Sequence, residues 1–212
     1  MKELPALTVK EFLSLTLSDA PAPGGGSAAA LFGALGAALA GMVANLTAGE
    51  KYAAAAEEMR SVAQKAETLC GKLTECVQKD TESFSEYMAA LKLPKEPETA
   101  ALHRKEAMQR GLKTAALVPL ETAKTALEVL PLAKAAVKSG NKNALSDGLV
   151  AAMAARTAVL GAVLNVRINL AGIKDETFVR EVAAEADETA ARAIALEREI
   201  LRLAEISESF AK

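Results

Sequence analysis

Asp80 is the residue of this sequence best placed for acid/base chemistry. It interrupts an apolar stripe, built from steps of three and four residues, between Cys76 and Phe84 of a predicted long helix. A carboxylate on a packing stripe is costly to bury unless it is paired or hydrogen-bonded. If it lies in a cleft, desolvation raises its pKa and lets it exchange protons near neutral pH. The alternatives are a side chain rotated off the stripe and one that caps a neighbouring helix.

A run of glycines at the start of another predicted helix is the second feature. Gly24, Gly25 and Gly26 precede Ser27, which we expect to be the N-cap, and the segment 28–46 carries no charge. The free N–H groups of such a helix start favour a carbonyl, a carboxylate or a phosphate. No Gly-Lys-Ser/Thr sequence follows and no strand precedes, so the pattern is neither a P-loop nor a dinucleotide-binding turn.

Polar side chains on a second apolar segment are the third feature. A buried helix that carries amides and guanidiniums must satisfy many hydrogen-bond donors, so these residues either tie helices together or line a polar pocket. For Asp147, ordinary capping near a helix start is an equal alternative. The set comprises Asn141, Asp147, Arg156, Asn165, Arg167 and Asn169.

The composition excludes several classes of function. The 25 Lys and Arg residues nearly balance the 27 Asp and Glu residues, which excludes a broadly basic nucleic-acid surface. A hydrophobic fraction of 51% excludes an acidic disordered chain, and 3% aromatics without Trp argues against base-stacking platforms. Cys70 and Cys76 are six residues apart, which places them on different faces of a helix, so we expect two free thiols. We expect the single histidine, His103, to be exposed. We therefore expect no metal site and no His-dependent nucleophile.

Alanine-rich segments without strand patterns predict an all-α fold. We expect a single helical bundle of about five to seven helices, with long, Ala-rich antiparallel helices, in one domain over residues 1–212. Thr8 and Glu11 form a predicted capping box, Pro119 is expected to kink the chain between two helical segments, and Asp175 to cap the last helix. The predicted helices cover about 8–18, 27–47, 53–91, 99–117, 120–138, 144–171 and 175–208.

The charge-free segment 28–46 is close in length to a bilayer-spanning helix. Ala and Gly dominate it and no basic residue flanks its N-terminal end, so we expect the central helix of a bundle rather than a membrane span. Gly33, Ala37 and Gly41 form a smooth line along which another backbone can approach. The first residues lack the pattern of a signal peptide, and we expect a cytoplasmic protein.

Several motifs together resemble the cyclodeaminase/cyclohydrolase family of folate enzymes. The resemblance covers about residues 4–207, and its most specific part is the glycine run with the apolar segment behind it. The family includes formiminotetrahydrofolate cyclodeaminases, often the second half of a bifunctional protein, and free-standing methenyltetrahydrofolate cyclohydrolases. We expect the formiminotransferase half to be absent from these 212 residues. The motifs are Pro23–Leu31, Gly33–Leu39, Met42–Thr47, Lys51-Tyr52, Asp80 with Phe84, Val118–Leu120, Gly140-Asn141, Ser146-Asp147 and Asn165–Leu170.

The resemblance implies an all-helical homodimer that binds folate in a groove near the subunit interface. It implies cyclodeamination of 5-formiminotetrahydrofolate to 5,10-methenyltetrahydrofolate and ammonia by general acid/base catalysis. The alternative within the family is hydrolysis of 5,10-methenyltetrahydrofolate to 10-formyltetrahydrofolate. We expect no tightly bound cofactor, a tetrahydrofolate derivative as substrate (possibly polyglutamylated), and neither nucleic acid nor membrane as a partner. A non-catalytic helical scaffold for oligomerisation or ligand binding is the alternative outside the family.

Roles for the candidate residues follow from joining the resemblance to the residue types. Asp80 is the first candidate for acid/base catalysis, and Asp147 is the second, in chemistry or as an anchor for the pterin. The remaining candidates bind substrate. Gly24, Gly25, Gly26 and Ser27 would hold a folate carbonyl or carboxylate; Asn141, Asn165 and Asn169 would position the ring system or its amide; and Lys51, Arg156 or Arg167 would meet the glutamate tail.

Overall fold

The computed structural model describes residues 3–204, and over that range its regular structure is entirely helical. The seven α-helices confirm the predicted all-α bundle. Of the three short 3₁₀ helices, Leu4–Ala6 precedes α1, Glu50–Ala55 lies between α2 and α3, and Lys142–Ala144 lies between α5 and α6. The α-helices are α1 Val9–Thr16, α2 Gly25–Asn45, α3 Ala56–Leu91, α4 Glu98–Leu127, α5 Val129–Ser139, α6 Leu145–Leu170 and α7 Glu176–Leu203.

Small residues let α2 lie at the centre of the bundle, between α3 and α6. A Cβ atom at Gly33 would lie 3.1 Å from the side chain of Leu73 on α3, and one at Gly36 only 2.9 Å from the carbonyl oxygen of Ala151 on α6. Such spacing brings backbone against backbone, and a methyl group there would cost about 1–3 kcal/mol through overpacking. The contacts run in opposite directions along the chain, so α2 is antiparallel to both neighbours, as predicted.

The apolar stripe of α3 is buried over most of its predicted length. It includes Met59 and Leu73, which are 2% and 0% exposed, and it continues to Cys76. Beyond Asp80 the stripe leaves the core, because Phe84 is 38% exposed while Ser83 is buried in its place. A stripe with an average step of 3.5 residues drifts around a straight helix by about 20° per heptad, which accounts for the departure.

The predicted division of this region into helices at 99–117 and 120–138 is wrong, whereas the expected kink at Pro119 stays a prediction. Helix α4 runs through Pro119 without interruption, and the break between α4 and α5 falls at Glu128. Proline has no N–H to donate to the carbonyl of Ala115, four residues earlier. The side-chain amide of Asn169 on α6 donates to that carbonyl at 2.7 Å. A tertiary hydrogen bond therefore replaces the missing helical one.

Other helix ends follow the sequence signals in part. Thr8 and Glu11 form the predicted capping box, and Asp175 accepts a hydrogen bond from the N–H of Phe178 as the cap of α7. Helix α3 begins at Ala56 rather than at residue 53, because the preceding residues form a 3₁₀ turn. The predicted end of the last helix near residue 208 lies outside the described residues.

Helices α2 and α6 are each long and apolar enough to cross a membrane by length and composition. In the most apolar windows of the two helical segments, 61% and 50% of the residues are buried inside the bundle, as core helices are. Their outward side nevertheless carries eight large apolar residues, a surface that we call the α2/α6 face. Its members, each 39–74% exposed, are Leu31, Phe32, Leu35, Met42, Leu46, Val150, Leu164 and Ile168.

Candidate active site

The carboxylate of Asp80 lies against the first turn of α2. Its Oδ2 accepts a hydrogen bond of 2.9 Å from the hydroxyl of Ser27. The carboxylate also accepts a hydrogen bond from the Ser27 backbone N–H. A Cβ atom at Gly26 would lie only 2.0 Å from Asp80 Oδ1. Any side chain at position 26 would therefore overlap the carboxylate, and only glycine leaves room for it. Asp80 and the glycine run, which the sequence marks as two separate features, therefore lie in contact.

The prediction that Ser27 is the N-cap of α2 is wrong. The helix begins at Gly25, its N-cap is Gly24, and Ser27 is the third helical residue. The N–H groups of the first turn have no partner within the helix, and the carboxylate of Asp80 accepts one of them. The Ser27 hydroxyl is completely buried and donates to the same carboxylate. Asp80 thus caps α2 from a neighbouring helix, which confirms the capping alternative named in the sequence analysis. One anion at this helix start is thus supplied by the protein itself.

Burial raises the pKa of Asp80 above its ordinary value. The hydroxyl and the N–H of Ser27 act in the opposite direction, because they stabilise the charged carboxylate, but the burial effect is larger. The result is a half-buried carboxyl group that changes its protonation state closer to neutral pH than an exposed aspartate. This is the property that an acid/base catalyst requires.

Asn165 is the candidate residue of α6 that lies beside this site. A Cβ atom at Gly25 would lie 3.3 Å from the Asn165 amide nitrogen, which donates to the carbonyl of Gly161 at 2.9 Å. The amide oxygen stays 3.8 Å from the same Gly25 position. Asp80, the glycine turn and Asn165 therefore form one cluster, which we call the Asp80 site.

Asn169 and Arg167 lie one helical turn or less from Asn165 but have structural partners. The Asn169 amide serves the carbonyl left free by Pro119, as described above. The Arg167 guanidinium donates to Asp187 on α7 at 2.6 Å in an exposed ion pair. Their predicted contacts with substrate stay predictions.

The remaining candidate residues do not join the Asp80 site within one chain. Asn141 donates from its backbone to Thr47 and from its side chain to the carbonyl of Leu46, at the far end of α2. Asp147 lies 18 residues before Asn165 on the same helix, which corresponds to about 27 Å at 1.5 Å per residue. We call this opposite end of the bundle the Asp147 end.

Lys51 and Arg156 also lie away from Asp80. The Lys51 ammonium sits 4.6 Å from the ring centre of its neighbour Tyr52, on the 3₁₀ turn that follows α2. The buried Nε of Arg156 lies 3.4 Å from a carboxylate oxygen of Glu197 on α7, too poorly aligned for a hydrogen bond. Burial raises the pKa of Glu197, and the nearby guanidinium lowers it in part.

A large cavity lies at the Asp147 end rather than at Asp80. It has a volume of about 1020 Å³ and opens between the last half of α2 and the first half of α3. Its lining combines apolar Met42 and Met59 with polar Arg60 and Gln64. A cavity of this size can hold a ligand with several rings, since small-molecule sites span roughly 300–1,000 Å³.

Two residues near Asp80, Thr81 and Phe84, were not among the candidate site residues predicted from the sequence. The hydroxyl of Thr81 lies 3.3 Å from that of Ser27, and the partly exposed ring of Phe84 is one turn beyond Asp80 on α3. Spacing four residues from Asp80 was a usable signal for Phe84, whereas nothing in the local pattern distinguishes Thr81.

Within residues 3–204, no three His, Cys, Asp or Glu side chains converge on a position where they could hold a metal ion.

Comparison with known proteins gives a consistent set of similarities. Residues 8–188 match the family model described as formiminotransferase-cyclodeaminase. The chain is 40% identical to a methenyltetrahydrofolate cyclohydrolase from Methylorubrum extorquens, over 91% of this chain and 93% of that protein. It is 37% identical to the formimidoyltransferase-cyclodeaminase of Rattus norvegicus over 81% of this chain, but it spans only 32% of that protein's length.

The solved structures add a match over nearly the whole fold. A crystal structure of formiminotetrahydrofolate cyclodeaminase from Thermotoga maritima superposes with a TM-score of 0.86 at 32% sequence identity. The match covers 96% of this chain and 98% of that one. The helical arrangement that places Asp80 against α2 thus belongs to a fold with a known enzyme in it.

Proposed function

This chain belongs to the formiminotransferase-cyclodeaminase family, and we propose that it is a folate one-carbon enzyme, a formiminotetrahydrofolate cyclodeaminase. The half-buried carboxylate of Asp80 at the start of α2 is the observation that carries the proposal. The family matches favour an enzyme over the scaffold alternative, because the relatives are named as enzymes. The transferase activity of the longer relatives is not part of the proposal.

In the proposed reaction, Asp80 serves first as a base and then as an acid. N10 of 5-formiminotetrahydrofolate attacks the formimino carbon, and the carboxylate accepts the N10 proton. This attack closes the five-membered ring. The carboxyl then returns the proton to the amino group on the tetrahedral carbon and, because the formimino group enters the reaction protonated, that nitrogen leaves as ammonia and the 5,10-methenyl cation remains. The reaction needs orientation and one proton carrier with a pKa near the working pH. No tightly bound cofactor is required in this scheme.

Cyclohydrolase activity is the second candidate function. It is favoured by the 40% identity to the Methylorubrum enzyme over 93% of that protein's length. Water replaces N10 as the nucleophile, and its proton passes to Asp80. The methenyl carbon then separates from N5, which receives this proton. The second water proton is released to solvent as the hydroxyl becomes the formyl carbonyl of 10-formyltetrahydrofolate. The two reactions use the same carbon and the same carboxylate. What distinguishes them is whether the contacts around that carbon favour attack by water or departure of ammonia.

Substrate contacts in the proposal follow the geometry of each end. Asn165 would position the ring system beside Asp80, and Gly24 and Gly25 leave open backbone at the start of α2. Lys51 would meet the glutamate tail, including a polyglutamate tail, because a cation suits a series of carboxylates. We further propose a soluble, cytoplasmic protein, in keeping with the packing of both apolar helices inside the bundle.

A homodimer is part of the proposed function, formed through the α2/α6 face. The face is built from eight large residues that expose on the order of 700 Å², near the roughly 800 Å² per partner of a standard interface. The exposed side of α2 carries no charge, so it can meet an identical copy without repulsion. A face this large on a single chain is above the usual size for a monomer surface.

The expected arrangement is antiparallel, with the two-fold axis across the middle of α2 near Leu35. Opposed helix dipoles favour it over the parallel alternative. It would set the Asp80 site of one protomer against the Asp147 end of its partner. In a single chain these groups lie at opposite ends of the bundle. In the dimer, Asp80 of one protomer would share one site with the partner's Asp147, the partner's Lys51 and the large cavity.

Interface variants test the dimer directly. Leu35→Glu places a charge at the centre of the α2/α6 face and is expected to produce monomers in analytical ultracentrifugation. Leu102→Glu is the matched control, because Leu102 is 58% exposed on α4 and is not one of the eight residues of that face, and its variant is expected to stay dimeric. A monomeric wild-type protein would contradict the proposed assembly.

Complementation tests whether the two ends form one site. Asp80→Asn and Asp147→Asn homodimers are each expected to be inactive, and mixing them after reversible dissociation creates heterodimers with one intact site. Random exchange should restore about a quarter of wild-type activity, because half of the dimers are mixed and each has one of two sites. An active Asp147→Asn homodimer, or heterodimers without activity, would contradict a shared site.

The function itself is tested by a substrate comparison. The purified protein is assayed in parallel on 5-formiminotetrahydrofolate and 5,10-methenyltetrahydrofolate, with methenyl absorbance and released ammonia both recorded. Ammonia formed in step with methenyltetrahydrofolate supports the cyclodeaminase. Loss of methenyl absorbance above the uncatalysed rate, without ammonia production from the first substrate, supports the cyclohydrolase. No turnover of either compound would refute the proposed function.

A further inference from the structure

The environment of Asp80 contains a second hydroxyl that the acid/base scheme does not use. Ser27 Oγ donates to Asp80 Oδ2 at 2.9 Å and lies 3.3 Å from Thr81 Oγ1, a distance at which either hydroxyl can be the donor. Ser27 is 0% exposed, so water does not take the place of either partner. The three groups form a hydrogen-bonded chain from α3 to α2 and back.

The single proton of the Ser27 hydroxyl fixes the direction of this chain. A hydroxyl has one hydrogen to donate, and an ionised carboxylate can only accept. Because the Ser27 hydrogen goes to Asp80, the contact with Thr81 must be a bond that Thr81 donates. Donation by Thr81 polarises the Ser27 hydroxyl and strengthens its bond to the carboxylate.

We propose that Thr81 and Ser27 act in series as positioning residues, which hold Oδ2 of Asp80 and leave Oδ1 to exchange the proton with substrate. The proposal rests on the proposed acid/base role of Asp80. Gly26 contributes by its missing side chain, since a Cβ there would lie 2.0 Å from Oδ1 and block it. Ser27, predicted as a substrate ligand, is in this account a residue that acts through Asp80.

Charged groups on the surrounding elements have other partners. Helix α2 carries no charged side chain, and no charged group contributes to the pKa of Asp80, which depends on burial and on Ser27. Ser27 and Thr81 are therefore the groups whose removal should change that pKa. The charged neighbours and their partners are Lys79 with Glu75 and Glu121, Glu82 with Gln78, Arg167 with Asp187, and Glu11 with Thr8.

The test measures the pKa of Asp80 without relying on turnover. The aspartate side-chain carboxyls are labelled with carbon-13 and titrated by NMR, and the resonance missing in Asp80→Asn is assigned to Asp80. Ser27→Ala is expected to raise this pKa by about one to two units, because it removes a hydrogen bond to a charged group. Thr81→Val is expected to raise it by a few tenths of a unit, and Thr81→Ser to restore the wild-type value.

Two control variants remove hydroxyls of α3 that do not touch the carboxylate. Ser83 donates to the backbone carbonyl of Asp80 at 2.9 Å, and Thr74 donates to the carbonyl of Cys70 at 2.7 Å. Ser83→Ala and Thr74→Val are expected to leave the pKa of Asp80 within measurement error of wild type. A shift in either control comparable to that of Ser27→Ala would show a general structural effect and overturn the proposal.

Kinetics supply a second, separable readout. In Ser27→Ala, the acid limb of the kcat profile should move to higher pH by the same amount as the NMR titration, while KM changes less than twofold. An unchanged or lower pKa of Asp80 in Ser27→Ala would overturn the proposal. If Ser27→Ala does not fold, Thr81→Val decides in the same way. Absence of turnover in the wild type would refute the proposed function and leave the titration as the test of positioning.

Discussion

Replacing Gly26 with alanine tests whether Asp80 is held against α2. The added Cβ would lie 2.0 Å from Oδ1, 2.5 Å from Cγ and 2.7 Å from Oδ2 of Asp80, so the whole carboxylate must retreat by more than 1 Å. The retreat breaks the 2.9 Å bond to Ser27. A hydrogen bond to a charged group contributes about 1.5–3 kcal/mol and overpacking costs about 1–3 kcal/mol, against a helix-propensity gain of about 1 kcal/mol.

The net loss in the free energy of unfolding is therefore about 2–4 kcal/mol, which lowers Tm by roughly 5–15 °C in a chain of this size. A displacement of about 1 Å at a reacting group reduces turnover on the order of 100-fold. Thermal melts and steady-state kinetics on both folate substrates measure the two effects. Gly71→Ala is the matched control: a Cβ at this exposed glycine of α3 meets nothing within 4 Å. It should preserve turnover and raise Tm slightly.

A double-mutant cycle identifies the cause of the loss. In an Asp80→Ala background the three closest atoms to the added Cβ are gone, so Gly26→Ala should cost almost no stability there. Wild-type turnover and Tm in Gly26→Ala would refute the placement of Asp80. An equal loss of stability with and without the carboxylate would show that another contact is responsible.

Three further outcomes follow from the structure. Because burial raises the pKa of Asp80 in the folded state, the stability linked to this group is present below the ordinary aspartate pKa and is lost as pH rises through the raised pKa. Asp80→Asn should therefore melt at a higher temperature than wild type at pH 7.5, by roughly 2–4 °C per kcal/mol relieved, and at the same temperature as wild type at pH 4. Asn169→Ala should destabilise the fold by about 1–3 kcal/mol by leaving a carbonyl unpaired, and Pro119→Ala should suppress that loss by restoring the helical N–H, as measured by urea unfolding. Burial raises the pKa of the Cys76 thiol, which is 1% exposed, so a thiol reagent should modify half-buried Cys70 first under native conditions, as peptide mass mapping would report.

The two features of the sequence that meet in the structure, Asp80 and the glycine run, were conspicuous for local reasons. An aspartate on an apolar stripe is conspicuous in any helix, and a glycine run before a charge-free segment marks a helix that packs closely. Their meeting required only that the two helices be antiparallel neighbours, which small residues at Gly33 and Gly36 favour. The start of α2 was misplaced because the partner that caps it, Asp80, is 53 residues away in the chain and invisible to a local rule.

Two other outcomes depended on tertiary contacts. The sequence predicts a helix boundary at Pro119, but α4 continues through it. Asn169, on a different helix, donates to the carbonyl that the missing N–H leaves free. Asp147 and Asn165 were grouped as one polar set because both lie on one apolar segment. Helix geometry separates them by about 27 Å, a distance that residue type alone does not convey.

The most direct test of the account is the turnover of Asp80→Asn, measured against Asp80→Glu and wild type on both folate substrates under single-turnover conditions. An amide keeps an acceptor for Ser27 and so preserves the fold, but it neither accepts nor returns a proton. The account predicts a loss of at least about 100-fold in the chemical step of Asp80→Asn, with Tm maintained or raised and partial activity in Asp80→Glu. A folded Asp80→Asn protein with wild-type turnover would contradict it.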